Sequence, residues 1–166
     1  MRITLAAVCV VAACGGGGED WTKKPTETVS GKVDGVAFTI EVPKGMRQKA
    51  EADELRFDFL VDDRVFTPDI VIREGAFAKT LDDYVKGEPK VASWIRKESL
   101  ADGYVVSYEN PNYKGKEDYL VYAIKTVGDK VLTCSGRVTR WSKDDKVKDK
   151  VPALEKVCLS IKPAAG

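Results

Sequence analysis

Histidine is absent from this sequence, and its only thiols are those of Cys9, Cys14, Cys134 and Cys158. Without an imidazole, Ser–His and Cys–His nucleophilic pairs are excluded. A metal site on two cysteines likewise has no histidine to complete it. A Ser–Lys pair stays formally open, because Ser99, Ser107, Ser135 and Ser160 sit among many lysines, yet no spacing selects one of them. Paired acids recur at Asp62-Asp63, Asp82-Asp83 and Asp144-Asp145. Two carboxylates divide acid and base duties only when their surroundings separate their pKa values, and each pair here has a local explanation. Asp62-Asp63 turns a hairpin, Asp82-Asp83 lies in a first helical turn where acids suit the helix dipole, and Asp144-Asp145 alternates with lysines in a solvated loop. None has the regularly spaced oxygens and glycine of a calcium loop. Gly15 to Gly18 lack the preceding strand and the following Gly-Lys-Ser/Thr of a phosphate loop. The sequence therefore assigns no catalytic residue, no cofactor and no metal ligand, and the expectation is a protein that is not an enzyme.

A different set of side chains bears on binding. Trp94, Tyr104, Tyr108, Tyr113, Tyr119 and Tyr122 fall close together in the chain. Tyrosine and tryptophan are enriched at interface hot spots, so a patch of them on a sheet would dock a partner or a ligand. The plainer alternative is that they fill the core and cover one sheet face.

The N-terminal stretch positions everything after it. Arg2 gives a short basic start, Ile3 to Val11 is an almost unbroken apolar run, and Val11-Ala12-Ala13-Cys14 closes it with small residues before a cysteine. Four glycines follow. A membrane-spanning helix needs about 20 apolar residues, and this run supplies roughly half of that. The stretch resembles a bacterial lipoprotein signal, with Val11-Ala12-Ala13-Cys14 as the lipobox and Cys14 as the lipidated residue. A plain secretory signal with an Ala-x-Ala cut and a cytosolic chain are the alternatives. The resemblance implies a signal peptide over residues 1–13, several acyl chains on Cys14 and a place in the bacterial envelope. Gly15, in place of an aspartate, fits sorting to the outer membrane, facing the periplasm. Cys9 then leaves with the signal and Cys14 is taken by lipid, which leaves Cys134 and Cys158 for one disulfide in an oxidising compartment. Two buried free thiols are the alternative.

Processing at Cys14 removes Arg2 and no acid, so the mature part balances 26 bases against 26 acids. That neutrality gives no sign of nucleic acid, for which a basic stripe is expected, nor of steering toward anionic lipid. The remaining length suits one domain with a proper core. From Cys14 to about Lys32 the composition is glycine-rich and then polar, and a flexible tether is expected. Such a tether would hold a domain over residues 33–166 some 20–25 Å from the bilayer, at roughly 5–6 Å times the square root of its length. Trp21 would sit at the headgroups or in solvent.

Within that domain, Val36, Phe38, Ile40 and Val42 alternate at period two, and so do Leu55, Phe57, Phe59 and Val61; both read as half-buried strands. A polar stretch separates them. Asp69 to Arg73 is a third extended segment. Thr80-Leu81-Asp82-Asp83 starts a short helix that Gly87 and Pro89 end. Ala101-Asp102-Gly103 turns one hairpin, Asn110-Pro111-Asn112 begins the next connection, and Gly128-Asp129 turns another hairpin. Tyr119 to Ile124 is apolar at every position, so both faces of that strand should be covered. Leu132, Cys134 and Val138 share one face of the next strand. Leu154, Val157, Cys158 and Ile161 then form the stripe of an amphipathic helix with Pro152 in its first turn. A disulfide between Cys134 and Cys158 would tie that helix to the sheet.

From Val36 to Lys162 this order resembles the PsbP-like domain. The residues that carry the likeness are the opening strand with its Pro-x-Gly end, Phe38 to Gly45, the helix at Leu81-Asp82-Asp83-Tyr84-Val85, and the closing Leu154 to Lys162. The resemblance implies an α+β fold in which helices sandwich an antiparallel sheet. It also implies partner binding or an assembly role, with no shared catalytic residue. The expected function is thus a membrane-anchored envelope lipoprotein acting as a protein-interaction or assembly module. The alternatives are a small-molecule or lipid carrier with a pocket between sheet and helix, and, third, a hydrolase built on a Ser–Lys or carboxylate site.

Overall fold

The computed structural model describes residues 20–164 apart from 52, 62–63, 89, 92, 111–117 and 140–145. The lipobox and Cys14, Gly15 to Gly18, Asp62-Asp63, Pro89, Pro111, Asn112, Tyr113 and Asp144-Asp145 lie outside the described residues.

The fold is α+β, mostly antiparallel sheet with few helices. Seven strands make the large sheet: β3 (Arg47–Ala50), β4 (Glu54–Val61), β5 (Arg64–Glu74), β6 (Trp94–Leu100), β7 (Gly103–Glu109), β8 (Asp118–Val127) and β9 (Lys130–Thr139). They lie side by side in the order β3-β4-β5-β9-β8-β7-β6, antiparallel at every junction. A small sheet of three strands, β1 (Thr26–Val33), β2 (Val36–Pro43) and β10 (Lys162–Pro163), is separate from it. Among the described residues the α-helices are α1 (Leu81–Gly87) and α2 (Val151–Leu159), the latter preceded by a 3-10 turn at Val147–Lys150.

Pleating sends alternate residues to opposite faces, and the two faces of the large sheet have separate cores. On one face, Leu55, Phe57, Ile70, Ile72, Val105, Val121, Ala123, Leu132, Cys134 and Val138 meet Phe38, Ile40 and Val42 of β2 and Leu154, Val157, Cys158 and Ile161 of the α2 segment. The small sheet and α2 therefore share this face, where helices alone were expected. Cys134 and Cys158 are fully buried and bonded, with their Cα atoms 5.4 Å apart, so the predicted bond between helix and sheet is present. On the other face, Tyr104, Val106, Tyr108 and Ile124 meet Tyr84 of α1 and Val91. The strand expected to be covered on both sides, at Tyr119 to Ile124, lies within β8 and contributes Tyr119, Val121 and Ala123 to the first core and Ile124 to the second.

Two expectations about the N-terminal part are corrected. Residues 20–32 were assigned to the tether, but Trp21–Lys23 form a 3-10 turn and Thr26–Val33 form β1, in register with β2 from Thr26↔Pro43 to Val33↔Val36. Trp21, placed at the headgroups or in solvent, is 5% exposed in the first core. The physical reason is that a strand does not need apolar alternation when its outer face meets solvent. The Asp34-Gly35 turn, with φ of 46° and 86°, has positive φ at both central residues as a two-residue type I′ hairpin turn requires. A domain boundary at residue 33 would cut this hairpin.

Candidate functional site

The α1 side of the large sheet collects most of the residues singled out for binding, and strand parity explains which. Tyr104, Tyr108 and Tyr122 sit at even positions of β7 and β8, whose register pairs Tyr104 with Ile124 and Val106 with Tyr122. They therefore share a face. Trp94 pairs with Tyr108 and joins them, ring centroids 5.1 Å apart. Tyr119, at an odd position, points to the opposite core.

α1 lays Tyr84 onto this group. The helix starts where the Thr80 side chain accepts from the Asp83 backbone N–H and donates to the Asp83 carboxylate. Asp82-Asp83 thus serve a first helical turn, as their sequence context implied. Tyr84 lies 5.9 Å from both Tyr104 and Tyr122, and its hydroxyl is 3.1 Å from that of Tyr108. The Tyr104 hydroxyl donates to the Ala78 carbonyl at 2.9 Å, which fixes the loop ahead of α1. On that loop Phe77 stands edge-on to Tyr122 at 5.5 Å and is 64% exposed, the one large hydrophobic so exposed among the described residues. Burial pushes the Tyr84 phenol far above its ordinary range, the Tyr108 phenol up to about 12, and those of Tyr104 and Tyr122 upward as well. At neutral pH these hydroxyls are neutral hydrogen-bonding groups, unsuited to act as bases.

The other half of the same face, on β4, β5 and β9, is ionic. Glu54, Asp58 and Asp118 are buried, which is costly for a carboxylate unless it is paired. Each is paired with arginine. Arg73 donates to Glu54 through two nitrogens, and Arg56 adds a third bond at 3.2 Å. Arg47 grips Asp58 with two parallel bonds of 2.9 and 3.0 Å. Asp118 accepts from Arg137 and from Asn110, each at 2.7 Å. Asp69 lies 3.7 Å from Arg56, and burial raises its carboxyl pKa despite that charge. The acids lie underneath while the arginine side chains keep 32 to 49% of their surface. The face thus presents guanidinium groups held in place, and the charges of Arg73 and Arg137 reach Tyr122, on which Phe77 stands. Phe77 and these arginines were not singled out from sequence. The alternation Glu54-x-Arg56-x-Asp58, out of phase with Leu55, Phe57 and Phe59, was the available signal.

Three of the four candidate serines are otherwise engaged. Ser107 donates to buried Glu155 of α2 at 2.6 Å, and Arg96 holds the other oxygen of that carboxylate at 2.9 Å. Ser135 and Ser160 donate to the carbonyls of Val71 and Val157. Ser99 is exposed on β6. Among the described residues no group of three or more acids and cysteines is placed to hold a metal. Clefts open on the surface of the described residues. One of about 370 Å³ lies between the turns at Asp34-Gly35 and Gly128-Asp129. Another, about 290 Å³, lies between Trp21, Lys24, Pro43 and the α2 residues Ala153, Lys156 and Val157. The space between α2 and the sheet is filled: a Cβ built on Gly136 would stand 2.7 Å from Leu154.

No protein-family model matches the sequence, and no curated protein matches it. Solved structures do. The Saccharomyces cerevisiae Ran-binding protein Mog1p superposes with a TM-score of 0.51 at 12% identity, over 82% of this chain and 95% of that one. The likeness is of fold. A mutant of the protein Mog1 gives a TM-score of 0.50 at the same identity, over 81% of this chain and 95% of its own.

Proposed function

We propose that this chain is a bacterial envelope lipoprotein, anchored through Cys14, whose PsbP-like domain binds another protein on the α1 side of its large sheet and catalyses no reaction. The observation that carries the binding role is Phe77, exposed on Tyr122 on the face where buried acids hold arginines in place. Aromatic and arginine side chains are the residues that dominate interface energetics, and fixing them in advance lowers the entropy lost on binding. The similarity in fold to a Ran-binding protein supports a protein partner. The lipobox supports the anchor, and Gly15 supports the outer membrane, facing the periplasm. A carrier role draws less support, because the layer between α2 and the sheet is filled by Leu154 against Gly136.

A photo-crosslinking residue placed at position 77 of the full chain tests the binding role in cells. The prediction is a discrete protein adduct that excess unmodified protein competes away and excess Phe77→Asp protein does not, while a crosslinker at Lys162, on the small sheet, gives none. Equal adducts at both positions would contradict it. Phe77→Asp should weaken capture of that partner at least tenfold and leave the melting temperature within a degree or two, since surface substitutions stay within about 0.5 kcal/mol.

A further inference from the structure

The point where the chain enters the domain is marked by lysines. Asp20 pairs with Lys23 at 3.5 Å and feels the charge of Lys150. Lys24 and Lys156 line the 290 Å³ cleft together with Trp21, Thr26 and Pro43. The Lys44 backbone N–H donates to the Pro25 carbonyl at 2.8 Å, which brings the β2–β3 turn to the same end. Five lysines thus surround the entry, with exposed Lys146 and Lys148 just before Lys150 in the chain; the acids on these segments are Asp20, Glu27, Glu41 and Asp149, and Glu19 precedes Asp20 in the sequence. Lys23 keeps 82% of its side-chain surface, and Lys44 and Lys156 are exposed. The excess of positive charge is local, since the mature chain as a whole is neutral.

Residues 15–19 are all that separate Cys14 from Asp20. Fully extended, that length spans at most about 20 Å, at 3.3–3.6 Å per residue. A compact domain of this size is roughly 35–40 Å across, from its radius of gyration. The entry belongs to the small-sheet and α2 layer: Trp21 packs in that core, and Lys24 lies over the Phe59 ring at 5.8 Å. α1 and Phe77 are on the far face of the large sheet. A chain lipidated at Cys14 therefore cannot bring the α1 side to its own bilayer without wrapping the tether around the domain.

We infer that the lysine-bearing end, through exposed Lys23, Lys44 and Lys156, is a bilayer-facing surface that lies against anionic lipid headgroups and so turns the α1 side toward the aqueous phase. The inference rests on the lipid anchor proposed above. Acyl chains and a basic patch are two signals that reinforce one another at a membrane, and the attraction acts within a Debye length of the anionic surface. The tether brings the patch inside that range. The same geometry gives the proposed docking face its direction.

Amine acetylation of the full-length lipidated protein on vesicles, read lysine by lysine by mass spectrometry, tests it. On vesicles of phosphatidylcholine with phosphatidylglycerol, Lys23, Lys44 and Lys156 should react several-fold more slowly than in detergent, while Lys79 and Lys86 on the α1 side keep their rates. The protection should shrink on phosphatidylcholine alone, in high salt, and at Lys156 when Lys23→Glu and Lys44→Glu are combined. Vesicle-bound protein whose two lysine sets react alike overturns the orientation and leaves the anchor standing. Wild-type protein that does not bind vesicles, like Cys14→Ser, overturns both.

Discussion

Cys134 and Cys158 are the pair whose chemistry was most legible from the chain, because only two thiols remain once a signal and a lipidated cysteine are set aside. A bridge that spans 24 positions of sequence contributes roughly 3–4 kcal/mol in the chain-entropy account. Reduction should therefore lower the melting temperature by about 10 °C for a domain of this size; a shift of a degree or less, or two free thiols by intact mass, would refute the bridge. The tyrosines make a second test. Burial raises the phenols of Tyr84, Tyr104, Tyr108 and Tyr122, so the folded state favours their neutral form. Their contribution to stability is present below the unfolded phenol value of about 10 and is lost as pH rises through the folded values. Absorbance at 295 nm should show these phenols titrating above pH 10, together with unfolding. A single transition near 10 in a still-folded protein would place them in solvent. The site itself was only half legible. That Tyr104, Tyr108 and Tyr122 share a face while Tyr119 does not depends on strand parity and register, and Phe77 gains its meaning from contact with Tyr122, 45 positions away in the chain.

Elements that bury a face left a periodic trace, and those that do not left none. β2, β8, β9 and α2 were readable because Phe38, Val121, Cys134 and Leu154 sit at the spacing their structures impose. Residues of β3 are all exposed, and β1 buries only Val33, so neither strand shows alternation. β10 is two residues long. The Asp34-Gly35 dipeptide was nevertheless a hairpin signal for β1 and β2. Close layering leaves its own mark at glycine. At Gly136 a Cβ would stand 2.7–2.8 Å from three atoms of Leu154. Gly136→Ala should thus force α2 away from β9 and cost about 1–3 kcal/mol, as overpacked cores do. Denaturant unfolding checks this, with no change in midpoint as the contrary result.

At the scale of the molecule, the layers assign different tasks to opposite sides. The small sheet and α2 receive the chain from the N-terminal segment, and the disulfide fastens that layer to the large sheet. Tyr84 and Phe77 cap the far side, which also carries the arginines that Glu54, Asp58 and Asp118 hold in place. In the proposed lipoprotein, the short connection from Cys14 to Asp20 would hold one layer toward the anchor and leave the other to meet a partner. The anchor, and with it the direction each side faces, depends on Cys14. Cell fractionation of the wild-type protein beside Cys14→Ser tests it most directly, with intact-mass analysis of the mature N-terminus. The account predicts wild-type protein in the membrane fraction with acyl mass on Cys14, and the serine variant in the soluble fraction. Unchanged membrane partitioning of Cys14→Ser, or a mature N-terminus without lipid, would contradict it.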